Sequence, residues 1–206
     1  MGDALLTALA ALVGYLLGTI PTADLVTRLA TRGQVDIRQA GSGNPGGLNA
    51  INVVGKGWGV VVIIVDVAKG AAAGFAGLAI GDTAGAYAAA TASIAGHIFP
   101  VWSRFRGGKG VATSGGACLA VFPPFFPIDA AVAALGAVGT RNPERTIWVN
   151  GVVWIGLAVA WWAFELPNLW GPPPVWGLVA FSVISSVMIV WKFRAAAGAS
   201  ASVAPA

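Results

Sequence analysis

One cysteine and one histidine are all this 206-residue chain contains of those two residue types. Cys118 alone cannot form an internal disulfide or a cysteine-cluster metal site. His97 alone excludes a metal centre built from imidazoles. Charge is equally scarce: charged residues make up 10% of the chain, where a soluble domain carries about 25%. So few charges cannot cover a water-facing surface. Disorder is excluded too, because it needs low hydrophobicity and high charge. What is abundant is apolar: 57% of residues are hydrophobic and the mean hydropathy is +0.78. The chain therefore reads as an all-α, multi-pass integral membrane protein folded as one domain over residues 1–194. The small-residue tail 195–206 is expected to be disordered.

A bilayer core needs roughly 17–25 apolar residues as helix. Residues 4–21, 57–80, 83–101, 146–166 and 174–191 meet that need. The stretch 111–139 is too long for one span, and Pro123, Pro124 and Pro127 interrupt it. Charge decides how often it crosses. If it crosses twice, about seven helices span, with the N-terminus outside and the C-terminus cytoplasmic. Arg28, Arg32, Arg38, Lys56, Arg104, Arg106, Lys109, Arg141, Arg145, Lys192 and Arg194 then all face the cytoplasm. Lys69 alone lies inside a span, and the outer side holds only Asp3, Asp82 and Glu165. A single crossing would export four of those basic residues, against the positive-inside rule. Tryptophans cluster near the span ends as an interfacial belt, with Trp154 well inside. The N-terminal apolar run lacks a basic n-region, so no cleaved signal peptide is expected. The net charge of +4 sits in cytoplasmic loops. It suits lipid headgroups or phosphorylated substrates, not nucleic acid.

Two glycine-rich cytoplasmic loops are where chemistry is expected. The first, VDIRQAGSGNPGGLNAINVVGKG, covers 35–57; the second, GHIFPVWSRFRGGKGVATSGG, covers 96–116. In GSGNPGG, Gly41, Gly43 and Gly46 let backbone N–H groups converge, and Ser42 and Asn44 add side-chain donors. The spacing also matches G-x-G-x-x-G, but a dinucleotide fold needs a strand before it, and membrane helices flank it here. The loop is either a phosphate cradle or a tight interfacial turn. In RGGKG, Gly107, Gly108 and Gly110 leave Lys109 open to an anion. The alternative is a topology anchor, the reading given to Arg104 and Arg106. His97 is either an acid–base group or a helix-end hydrogen bonder. Asp66 and Lys69, three residues apart, share a helix face as an ion pair, with Lys69 a possible contributor to an anion site. Asn52, Arg141, Glu144 and Arg145 read as loop polars, and Cys118 as inert packing.

At these loops the sequence resembles the bacterial membrane glycerol-3-phosphate acyltransferases that take acyl phosphate as donor. The family's second motif resembles GHxFPVFxxFKGGKGVAT, and here reads GHIFPVWSRFRGGKGVAT. Its first resembles GSGNxGATN followed by an arginine, and here reads GSGNPGGLNAIN. YLLGTIPTADLV (15–26), VDIR (35–38) and DVAKG (66–70) are also similar. The chain departs from the family at Leu48 (threonine there), Asn52 (arginine) and Phe193 (histidine), and an alanine replaces an asparagine after the last span. The resemblance implies acyl transfer from a fatty acyl phosphate to glycerol 3-phosphate, giving lysophosphatidate. The site would be on the cytoplasmic face of the bacterial inner membrane, with no metal or organic cofactor. It implies catalytic roles for Lys109, Ser42 and His97. Substrate contacts fall to Gly41, Gly43, Asn44, Gly46, Asn49, Gly107, Gly108, Gly110 and Lys69. Two competing classes are a paralogue that binds phosphorylated ligand or lipid without turnover, and a small phosphometabolite transporter.

Overall fold

The computed structural model describes residues 2–138 and 143–201, and those residues are all-helical apart from loops and turns. Arg141 and residues 202–206 lie outside them. In chain order the helices are α1 (Gly2–Gly18), α2 (Thr22–Thr31), α3 (Gly47–Val54), α4 (Lys56–Ile98), α5 (Val111–Val121), α6 (Phe126–Val138), α7 (Pro143–Ala163) and α8 (Trp176–Ala201).

The long α4 is two helices joined at a sharp reversal. Gly81 (φ −138°, ψ 31°) and Asp82 (φ 50°, ψ −145°) leave helical geometry, at the boundary expected between the second and third spans. On a straight helix Gly77 and Gly85 would stand about 12 Å apart. Instead a methyl on Gly77 would strike the Gly85 carbonyl and the Ala89 side chain, so the two halves fold back on each other. α1 lies against the second half. Gly14 meets Ala89, Gly18 meets Ser93, and Gly96 meets the Tyr15 carbonyl, each too closely for a side chain. α5 packs on the first half in the same way, through Gly70 against Thr113 and Gly116 against Val67. Small residues at these seams let backbones touch, which is how helices gain dispersion contact where lipid offers no hydrophobic drive.

Proline explains the broken stretch. α5 ends at Val121, Pro123–Phe125 form a 3-10 turn, and α6 starts at Phe126. At about 1.5 Å per residue α5 and α6 each reach less than 20 Å, short of a full crossing. Among the described residues, four other segments are long and apolar enough to cross: Gly2–Thr31, Lys56–Ser103, Glu144–Ala163 and Trp176–Ala197. Of the tail 195–206, the described residues reach 201. α8 continues through 195–201, because the alanines there are strong helix formers.

The core sits between α5, α7, α8 and the second half of α4. Phe125 stacks on Trp154 with ring centroids 5.4 Å apart, and Trp154 meets Phe181 edge-on at 5.2 Å. Trp154 is buried as expected, whereas Trp58, Trp102, Trp148, Trp162, Trp170 and Trp176 are exposed near helix ends and Trp191 is exposed within α8. Leu5, Leu12, Ile64, Val152 and Val187 are among many large apolar side chains exposed on the outer faces. Such a surface is stable only in lipid.

Candidate functional site

Two loops close over the ends of α1, α2 and α4. The first is organised around Asn49, in the opening turn of α3. Its buried side chain donates from Nδ2 to the carbonyls of Ile37 (3.2 Å) and Ala40 (3.0 Å). Its Oδ1 accepts from the Ser42 N–H at 2.8 Å. Asn49 thus uses both amide hydrogens within the loop, and acts on the site by shaping that loop. Gly41 (φ 59°) and Gly43 (φ 68°) adopt left-handed backbone, and a side chain on Gly41 would strike Asn49 Oδ1. Gly46 caps α3. The Ser42 side chain remains exposed and that of Asn44 half-buried.

Arg38 ties this loop to the second. Its guanidinium grips Asp24 of α2 in a bidentate pair, at 2.6 and 2.9 Å. It also donates to Ser103 Oγ at 3.1 Å and to the Arg106 carbonyl. The Arg38 backbone N–H, and then the Gln39 amide, hold the neighbouring Asp36 carboxyl below its ordinary range.

In the second loop, Gly107 N–H donates to the Ile98 carbonyl (3.0 Å) and Gly108 N–H to the His97 carbonyl (3.1 Å). Both glycines are buried, and their N–H groups are consumed by backbone. Their part is close approach: a methyl on Gly108 would strike His97 Nε2 and the Pro45 carbonyl. The two loops therefore touch at Pro45–Gly108 and at Arg38–Arg106. Gly110 (φ 84°) caps α5, leaving that helix's first-turn N–H groups without intrahelical acceptors. Lys109 turns toward α8, its ammonium 4.3 Å from the centroid of the Phe193 ring. Partial burial lowers its pKa from the ordinary lysine value.

Below the loops is a buried polar chain. Lys69 Nζ lies 2.8 Å from Asp66 Oδ1 and donates to the Ile20 carbonyl at 3.0 Å. His97 Nδ1 is 3.1 Å from Thr113 Oγ1 and 3.7 Å from Asp66 Oδ1. The Lys69 contact with Asp66 Oδ1 lies off the hydrogen-bond direction, so this buried oxygen has charge contact but no hydrogen bond.

Asp66, Lys69, His97, Gly107 and Gly108 line one cavity with Arg38, Pro45 and the α1–α2 turn, residues 18–24. The cavity is small and opens to solvent. Sequence reasoning brought Lys69, His97, Gly107 and Gly108 to this place. It missed Arg38 and Asp24, although VDIR beside a glycine loop was the available signal. Gly41, Ser42, Gly43, Asn44, Gly46, Asn49, Lys109 and Gly110 belong to the same two loops but do not line the cavity. The reason is physical: the Ser42 N–H turns to Asn49, and Lys109 turns to Phe193. Cys118 is buried. Asn52 is exposed on α3, not in a loop. Among the described residues no group of His, Cys, Asp and Glu has metal-binding geometry.

Residues 8–200 match a family model described as glycerol-3-phosphate acyltransferase. A protein of that name from Rubrobacter xylanophilus is 36% identical over 191 residues, covering 92% of this chain and 89% of its own length. One from Symbiobacterium thermophilum is 40% identical, covering 76% and 74%. One from Synechococcus sp. is 47% identical over 133 residues, and the match spans 64% of that relative's length. In fold the chain resembles the crystal structure of PlsY, an integral membrane glycerol 3-phosphate acyltransferase, in its glycerol 3-phosphate form. The TM-score is 0.73 at 24% identity, over 95% of this chain and 92% of that one.

Proposed function

The chain belongs to the glycerol-3-phosphate acyltransferase family, and we propose that its cavity and loops transfer an acyl group from a fatty acyl phosphate to glycerol 3-phosphate. The product is lysophosphatidate, made at the cytoplasmic face of a bacterial inner membrane. The supporting observation is that two glycine-rich loops close, through Arg38 and Gly108, over a buried Asp66–Lys69–His97 cluster.

An acyl phosphate is a mixed anhydride and already activated. The protein has to hold two anions together and stabilise the charge that develops on the carbonyl oxygen. In this reading Arg38 and Lys69 take the acceptor's phosphate, and Asp66 Oδ1 accepts from one of its hydroxyls. With His97 Nδ1 donating to Thr113 Oγ1, Nε2 presents its lone pair to the cavity. The attacking hydroxyl loses its proton to Nε2 as the ester C–O bond forms. The bond from carbonyl carbon to phosphate oxygen then breaks, and the proton passes to the departing phosphate. Lys109, Ser42, Asn44 and the first turn of α5 hold the donor's phosphate, with the acyl chain between the spans. Gly41, Gly43, Gly46, Gly107, Gly108 and Gly110 let the backbone approach both anions, and Asn49 keeps the first loop in shape.

The experiment supplies purified protein in lipid with an acyl phosphate and glycerol 3-phosphate, and measures lysophosphatidate. Wild type should form product. Lys109→Ala, Ser42→Ala and His97→Ala should each lose at least tenfold in kcat/KM with folding intact. Equal background from wild type and all three variants would overturn the reading.

A further inference from the structure

A second polar site lies away from the loops, inside the helix bundle. Asp129 of α6 is 3% exposed, and among the described residues no lysine, arginine or histidine forms an ion pair with it. Its hydrogen-bond partner is the neutral Asn150 of α7, whose Nδ2 donates to Oδ1 at 2.9 Å. Around it is a small cavity lined by Ser114, Asp129, Asn150, Trp154 and Ser186, among apolar neighbours. Asn150 Oδ1, Ser186 Oγ and Trp154 Nε1 are buried without any hydrogen-bond partner. Asn150 is 8% exposed and Ser186 6%. Gly115 of α5 keeps the space open: a methyl there would stand 3.1 Å from Asp129 Oδ2.

The depth makes this costly. Ser186 lies six residues before Lys192 on α8, about 9 Å along the helix axis from that charge. A carboxylate and unsatisfied polar atoms at such a position are expensive. The cavity's polar lining is mostly oxygen: the Asp129 carboxylate, the Asn150 carbonyl, and the hydroxyls of Ser114 and Ser186. Ser114 spends its hydrogen on the Val111 carbonyl at 2.8 Å, which leaves its oxygen lone pairs available. Hard cations take oxygen ligands of this kind, and one carboxylate balances one positive charge. We propose that Asp129, Asn150, Ser114 and Ser186 form a site for a single monovalent metal cation, sodium or potassium, that bridges α5, α6, α7 and α8. The proposal is independent of the acyltransferase chemistry.

The test uses the full chain in detergent at pH 8. NaCl or KCl is titrated against N-methyl-D-glucamine chloride at constant ionic strength, and thermal unfolding is followed. Bound cation raises Tm in a saturable way. Wild type should gain several degrees with sodium or potassium and nothing with the organic cation. Asp129→Asn should lose that response, and Ser186→Ala should move its midpoint to higher salt. Retention of radioactive sodium by wild type, but not by Asp129→Asn, reads binding directly. An equal Tm in all three salts for wild type would overturn the proposal, leaving a neutral carboxyl or trapped water. A cation response that survives Asp129→Asn would overturn it too.

Discussion

Asp66 and Lys69 form a buried ion pair beside the cavity. Their contact is 2.8 Å and both are almost wholly buried. Removing one partner strands the other charge, which costs about 3–5 kcal/mol. Asp66→Asn should therefore unfold at clearly lower temperature in a detergent melt. The double variant Asp66→Leu, Lys69→Met should recover most of that stability yet make no product. Lys109 supplies a second expectation. Burial lowers its pKa, so its charge is lost at lower pH than that of an ordinary lysine. Activity that needs the ammonium should fall on the alkaline side earlier than an exposed lysine would allow. Phe193→Ala admits water and should shift that alkaline limb to higher pH in a kcat/KM profile. DVAKG and GGKG made both lysines candidates in the sequence. Neither string says that Lys109 turns to Phe193 or that Arg38 enters the cavity. Those contacts join residues 84 and 68 positions apart, and no local pattern records them.

The helices are held by seams of glycine and alanine. At Gly18 a side chain would meet the backbone of Ser93, so α1 and α4 must separate to admit one. Overpacking of this kind costs about 1–3 kcal/mol. Gly18→Leu should lower Tm and also widen the α1–α2 turn that lines the cavity, raising KM for glycerol 3-phosphate in steady-state assays. Exposed Gly57→Ala meets nothing within 4 Å and should leave both measurements unchanged. The hydropathy runs placed most of these helices, and the prolines at 123–127 marked the break between α5 and α6. Along 195–201 the alanines favour helix whether or not anything packs on them.

For the molecule as a whole, the arrangement of charge is the strongest statement about its place in a membrane. Positive residues collect around the two glycine loops and the end of α8, which supports a cytoplasmic active face. In a background with Cys118→Ser, cysteine at position 104 should react with a membrane-impermeant maleimide only after cells are opened. Cysteine at position 82 should react in intact cells once the outer layers are made permeable. The opposite pattern would reverse the orientation.

Composition and period by themselves determined that the chain lives in lipid as helices, because one charged residue in ten cannot face water. The glycine-rich strings picked out the two loops that meet over the cavity, since few other residue types allow such close approach. Only the tertiary structure decided that these loops close on Asp66, Lys69 and His97, and that Asp129 is buried inside the bundle beside the neutral Asn150. Both outcomes depend on which helix faces pack together, and that is set by contacts between residues far apart in the chain.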